Sequence, residues 1–92
     1  MDSNTDKYIV DAIVRNRLDI LNRITSLFIV KNLPVQSVMY SATAGNMAII
    51  NLICHCPDED IMKRIINQAN KIADISEIYY TKVFKYNPDE AE

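Results

Sequence analysis

The 92-residue sequence has no tryptophan, one glycine, one histidine and two cysteines, and each scarcity closes off a class of function. A single glycine leaves no material for a glycine-rich phosphate loop. One histidine, with no hydrolase or kinase motif around it, supplies no nucleophile–base pair, so an enzyme is not expected. Cys54 and Cys56 stand at i and i+2 in a strand-like run, about 6.5 Å apart along an extended chain, a spacing that strains a disulfide. His55 points to the opposite face, and no other Cys or His completes a tetrahedral shell, so buried strand thiols are expected rather than a metal site. Basic charge is lacking as well: 10 Lys and Arg stand against 12 Asp and Glu, for a net charge of −2 and a pI near 5.3. That balance disfavours nucleic acid and anionic membranes as partners. No apolar run approaches the ~20 residues of a membrane span, and MDSNTDK at the start is polar and acidic where a signal peptide is basic and then apolar. A cytoplasmic protein without a cofactor is expected.

What the chain does have is about half apolar content, 49%, enough for the core of one small domain. Residues 7 to 14, KYIVDAIV, alternate with Val10, Ala12 and Val14 on one face and Ile9, Asp11 and Ile13 on the other, which predicts a first strand. From Asp19 the period changes. Ile20, Leu21, Ile24, Leu27 and Phe28 recur at three and four, predicting a three-turn helix that ends near Asn32, because Pro34 biases Leu33 away from helical dihedrals. Val35 to Thr43 reads as a second strand, Ala44-Gly45-Asn46 as a turn, and Met47 to Cys56 as a third strand. Asp58 is the expected N-cap of a second helix whose apolar stripe is Ile61, Ile65, Ala69 and Ile72. Asp74 to Phe84 is rich in Ile, Tyr, Val and Thr and predicts a fourth strand.

The element order βαββαβ, with right-handed crossovers, gives an α+β, ferredoxin-like fold: a four-stranded antiparallel sheet with both helices on one face. Residues 7–85 are expected to form the domain, with a disordered N-terminus at 1–6 and a flexible acidic tail at 86–92. The other sheet face would carry Ile9, Ile13 and Met39, more apolar than a solvated surface needs. A homodimer is therefore expected, through that face or a sheet edge.

The chemistry-bearing residues gather at the break between the first strand and the first helix, Arg15-Asn16-Arg17-Leu18. A helix N-terminus presents unpaired N–H groups and partial positive charge, where a small acid docks without catalytic machinery. Asp19 occupies that spot, as a cap or as an excluder of anionic ligands. Arg15 and Arg17 read either as a solvated loop or as carboxylate-binding groups that serve a ligand, a partner, or Asp19 itself. Asp58-Glu59-Asp60 reads as capping rather than an acid–base pair. Tyr40, Tyr79 and Tyr80 could suggest an RNA-stacking sheet, but the Gly-aromatic signature and basic surface of such readers are missing.

Val14-Arg15-Asn16, Leu21-x-Arg23-Ile24-x-x-Leu27-Phe28, Val35-Gln36-Ser37-Val38 and Asn70-Lys71-Ile72-Ala73-Asp74-Ile75, in this order across residues 8 to 80, resemble the ACT domain of the acetohydroxyacid synthase regulatory (small) subunit. The resemblance implies a non-catalytic partner of a thiamine-diphosphate-dependent large subunit, which it activates in branched-chain amino acid biosynthesis. It also implies a dimer with a branched-chain effector, typically valine, held between the loop before the first helix of one chain and the start of the second strand of the other. Carried onto this chain, the effector contacts fall on Asn16, Asp19, Ile20 and Val35. Longer family members add a C-terminal domain, and this chain resembles the short form.

The chain departs from that family where the effector sits. The family loop reads Asn-x-Pro-Gly, and here it reads Asn16-Arg17-Leu18-Asp19. A side chain in place of glycine adds bulk, and a carboxylate adds like charge near the effector's own. Pro34 replaces a family asparagine and removes an amide donor. The resemblance with these departures implies a regulatory subunit with weakened or altered valine sensing. The alternative is a free-standing ACT-type amino-acid sensor or dimerisation module that serves another enzyme.

Overall fold

The computed structural model describes residues 6–83, and the tail expected at 86–92 lies outside them. Six elements follow in the order β1 (Asp6–Arg15), α1 (Leu18–Ile29), β2 (Val35–Ala42), β3 (Met47–Cys56), α2 (Glu59–Ala69) and β4 (Ile75–Val83). The strands make one antiparallel sheet ordered β2-β3-β1-β4, the expected ferredoxin-like βαββαβ arrangement. Among the described residues no helix is long and apolar enough to cross a membrane.

Strand alternation decides which side chains enter the core. Tyr8, Val10, Ala12 and Val14 of β1 face the helices together with Ala48, Ile50, Leu52, Cys54 and Cys56 of β3, all buried. Onto them pack Ile20, Ile24 and Phe28 from α1 and Met62, Ile65, Ile66 and Ala69 from α2. The stripe expected on α2 is thus rotated slightly. Ile65 and Ala69 are buried as expected and Met62 and Ile66 join them, while Ile61 is only partly buried and Ile72, partly buried too, lies beyond the end of the helix.

Two of the boundaries that differ from expectation do so for identifiable reasons. Asp6, expected in the disordered start, opens β1 opposite Cys56 and pairs with Lys82 at 3.3 Å. The first helix ends at Ile29, three residues early, and what stops it is Asn32 rather than Pro34 alone. Asn32 adopts the left-handed conformation, φ 59°, its N–H bonds Ile29 O at 2.9 Å, and the Leu33 N–H bonds Phe28 O at 3.1 Å. This pair of bonds satisfies terminal carbonyls and turns buried Leu33 back towards the core. The second helix is capped as expected, with the Asp60 N–H donating to Asp58 Oδ1 at 2.9 Å.

Cys54 and Cys56 are free, buried thiols on one face. Burial pushes the Cys54 thiol up to about 12, and burial, aided by nearby Glu59, does the same to the Tyr8 phenol. The fold therefore prefers both groups protonated, whereas the unfolded chain loses those protons near their ordinary values of about 8.5 and 10. Stability should be complete below about pH 8.5 and fall as pH rises towards 12. Alkylation reports the same burial: at pH 8 iodoacetamide should leave both thiols of the native protein unmodified and label both in denaturant. Rapid native labelling would contradict it.

Candidate functional site

The loop expected to hold a ligand is built where β1 runs out between its two neighbours. Arg15 pairs with Met47 of β3, its N–H reaches Asp74 O at 2.9 Å, and the Asn16 N–H bonds Asn46 O at 2.7 Å. The loop is thereby tied both to the β2–β3 turn and to the segment entering β4. Tyr40 of β2 donates its hydroxyl proton to Asn16 Oδ1, fixing the orientation of that amide.

The helix start is one residue earlier than the sequence suggests. Arg17 is the N-cap, Leu18 the first helical residue and Asp19 the second, and no side chain caps the helix. Asp19 does not spend its carboxylate on helix N–H groups. Its Oδ1 accepts from Arg17 Nε at 3.1 Å and its Oδ2 from Arg17 Nη2 at 3.0 Å, a bidentate pair. The remaining terminal nitrogen, Nη1, donates to Asp74 Oδ2 at 3.2 Å, and Arg15 Nε lies 3.9 Å from Asp74 Oδ1. Two arginines and two aspartates thus neutralise one another across the corner. The Arg17 and Asp19 side chains are 58% and 55% exposed, so water screens the pair to less than about 1 kcal/mol of stability. Its consequence is for ligands: the guanidinium face that would greet an incoming carboxylate is already taken.

The expected effector residues do not converge within one chain. Asn16 and Asp19 share the corner. Ile20 is wholly buried and its N–H is committed to Arg17 O at 3.2 Å, so its side chain belongs to the core rather than to a ligand. Val35 packs against the core at the opposite end of the sheet, opposite Cys54. Arg15 aligns with Met47 and Val35 with Cys54, seven positions along β3, so about 23 Å separates the two halves of the expected site. Next to Val35, Pro34 offers only its carbonyl, which accepts from the His55 N–H at 2.9 Å.

Asp74 and Tyr40 were not anticipated at this corner. The signal for Asp74 lies in the topology, because β1 and β4 are neighbours and the chain leaving one must pass the chain entering the other. A cavity of about 350 Å³, lined by Arg15, Met47, Ala73, Asp74 and Ser76, opens beside it. A larger depression of about 610 Å³ lies between the helices at Arg23, Leu27, Lys71 and Ile72, and none of the expected site residues lines it. Among the described residues no cluster of three or more metal-ligating side chains occurs.

No known protein family matches the sequence, and no curated protein does. Solved structures do resemble the fold. The C-terminal domain of the MgtC protein from Mycobacterium tuberculosis matches with a TM-score of 0.76 at 8% identity, over 90% of this chain and 93% of that one. The ACT domain of GTP pyrophosphokinase from Chlorobium tepidum matches with a TM-score of 0.71 at 12% identity, over 84% and 99%. An ACT domain protein from Streptococcus pneumoniae matches with a TM-score of 0.70 at 8% identity, over 84% and 89%. At these identities the likeness is one of fold: the chain folds as ACT domains do.

Proposed function

We propose that this chain is a non-catalytic regulatory subunit of ACT type that activates the large subunit of acetohydroxyacid synthase, with its valine response weakened. The ACT fold and the ordered segments from Val14 to Ile75 support the regulatory reading. The observation that carries the altered response is the bidentate Arg17–Asp19 pair, an internal carboxylate seated where the effector's would go. A free amino acid must displace it, and a carboxylate that is covalently held and only two residues away competes at high effective concentration. Calorimetry with valine, leucine and isoleucine should show no micromolar binding to the unmodified protein. Micromolar binding of any of them would sink the proposal.

A site that uses both Asn16 and Val35 needs two chains, and the edge strand β2 offers the means. Val38, on the helix side of β2, is 38% exposed on an unpaired edge, and Leu18 and Ile29 of α1 are exposed apolar residues at 67% and 64%. Antiparallel pairing of two β2 strands sets the start of one beside the end of the other. The partner's Val35 end then approaches the corner that Tyr40 ties to Asn16. Val38→Asp should halve the particle mass measured by light scattering, and an unchanged mass would reject edge pairing.

A second reading has its own support. The fold likeness extends to an ACT domain protein from Streptococcus pneumoniae as well as to the ACT domain of a GTP pyrophosphokinase, so it does not single out one enzyme partner. On that reading the protein is a free-standing amino-acid sensor or dimerisation module and leaves acetolactate formation unchanged.

A further inference from the structure

The sheet face turned away from the helices carries a pattern that edge pairing leaves unused. Strand register places Ile9 beside Ile53, Asp11 beside Asn51, and Ile13 beside Ile49. Met39 extends the middle row on β2 and Tyr79 extends it on β4. Four isoleucines therefore surround one polar pair, with Met39 62%, Tyr79 51% and Ile49 43% exposed at its sides. At the centre Asn51 Nδ2 donates to Asp11 Oδ1 at 2.7 Å. The second amide hydrogen of Asn51 and the second oxygen of Asp11 have no protein partner among the described residues.

We propose that two copies of this chain stack through these open faces, with the four isoleucines as the contact and the Asp11–Asn51 pairs of both copies at the two-fold axis. The pattern is symmetric about its polar centre, as a self-complementary contact requires and an unrelated partner does not. A two-fold axis along the strands sets Ile9 on the second copy's Ile53 and Ile13 on its Ile49. An axis across the strands sets Ile9 on Ile13 and Ile53 on Ile49. Either way isoleucine meets isoleucine; with the axis along the strands each Asn51 also lies on the other copy's Asp11, and its remaining amide hydrogen closes a ring of four polar groups that water would otherwise have to satisfy. Lys7 falls at the end of the face beside His55, and Glu77 at its β4 margin beside Ile13, both off the polar centre.

The area suffices. Four strands about 4.8 Å apart and eight residues long offer roughly 500 Å² per copy, or about 1,000 Å² in the contact, which is the lower bound for a specific interface. The axis across the strands is also compatible with β2 edge pairing, and the two together close a four-chain particle rather than an open array.

Light scattering on the full chain at tens of micromolar decides the matter. Ile53→Lys and Asn51→Asp should each halve the mass relative to the unmodified protein, with circular dichroism unchanged. Asn51→Asp is nearly isosteric and acts by bringing four carboxylates to the axis. Met39→Glu, at a position already exposed in the single chain, does not act by unfolding and should weaken the same association severalfold. An unmodified protein that is monomeric, or face variants that are folded at undiminished mass, would overturn the proposal. Edge and face are read separately: a mass halved by Val38→Asp but not by the face variants keeps edge pairing and rejects stacking, and the reverse keeps stacking and rejects the edge.

Discussion

Phe28→Ala is expected to cost about 3–5 kcal/mol of stability. Phe28 is among the largest wholly buried side chains, and it sits in the last turn of α1 against the β1–β3 layer. Its carbonyl also accepts the N–H groups of Lys31 and Leu33, both at 3.1 Å, in the turn that ends the helix. Removing the ring therefore opens a cavity and loosens the point at which the helix is closed off and the chain redirected into β2. A small domain has only about 5–15 kcal/mol in total, so one such cavity consumes a large share of it. Urea denaturation of the variant and the unmodified protein measures the difference. A loss below about 1 kcal/mol would mean that the α1–sheet contact is not where the stability resides.

Asp19→Gly is expected to create valine binding, or to raise it at least tenfold, by releasing Arg17. The substitution removes a carboxylate that holds both Nε and Nη2 of the guanidinium, and it frees space at the second helical residue. A tenfold gain corresponds to about 1.4 kcal/mol, within reach of two like charges separated by about 4 Å near a protein surface. The pair is more than half exposed, so the gain should shrink as salt is raised. Glycine in the first helical turn costs up to about 1 kcal/mol of stability, small beside the expected gain in affinity. If calorimetry shows no gain, the obstacle lies elsewhere, and Pro34, which lacks the amide donor, becomes the residue to replace.

Most of the fold was legible in the sequence because its patterns are strong and local. The loose alternation in KYIVDAIV placed Val10, Ala12 and Val14 on one face, which the core takes, and Asp58 marked the start of α2. The end of α1 was less legible. Proline is a visible breaker, but the left-handed turn at Asn32, which stops the helix three residues earlier than expected, depends on how Leu33 and Phe28 pack together. The candidate site was legible in part. Asn16 and Asp19 were placed correctly at one corner, while the assignment of Asp19 to Arg17 rather than to helix N–H groups follows from Arg17 being the cap. Asp74 was missed because it is remote in sequence and arrives through the β1–β4 neighbourhood. Ile20 was assigned to the site by analogy, although its helical period with Ile24 and Phe28 marks it as core.

The uncovered face was also legible in outline, since Ile9, Ile13 and Met39 announce an apolar surface. What the alternation of one strand does not reveal is the pairing partner. Only the β1–β3 register sets Asp11 against Asn51 and makes the pattern symmetric. Register is a property of two strands together, and it converts a vague expectation of association into a contact with named residues.

The most direct test of the regulatory reading is the rate of acetolactate formation by the same organism's catalytic subunit, with and without a molar excess of this protein. A severalfold increase that valine leaves largely intact is the predicted result. An unchanged rate, with both proteins shown to be folded, would contradict it and leave the ACT fold in the service of a different partner.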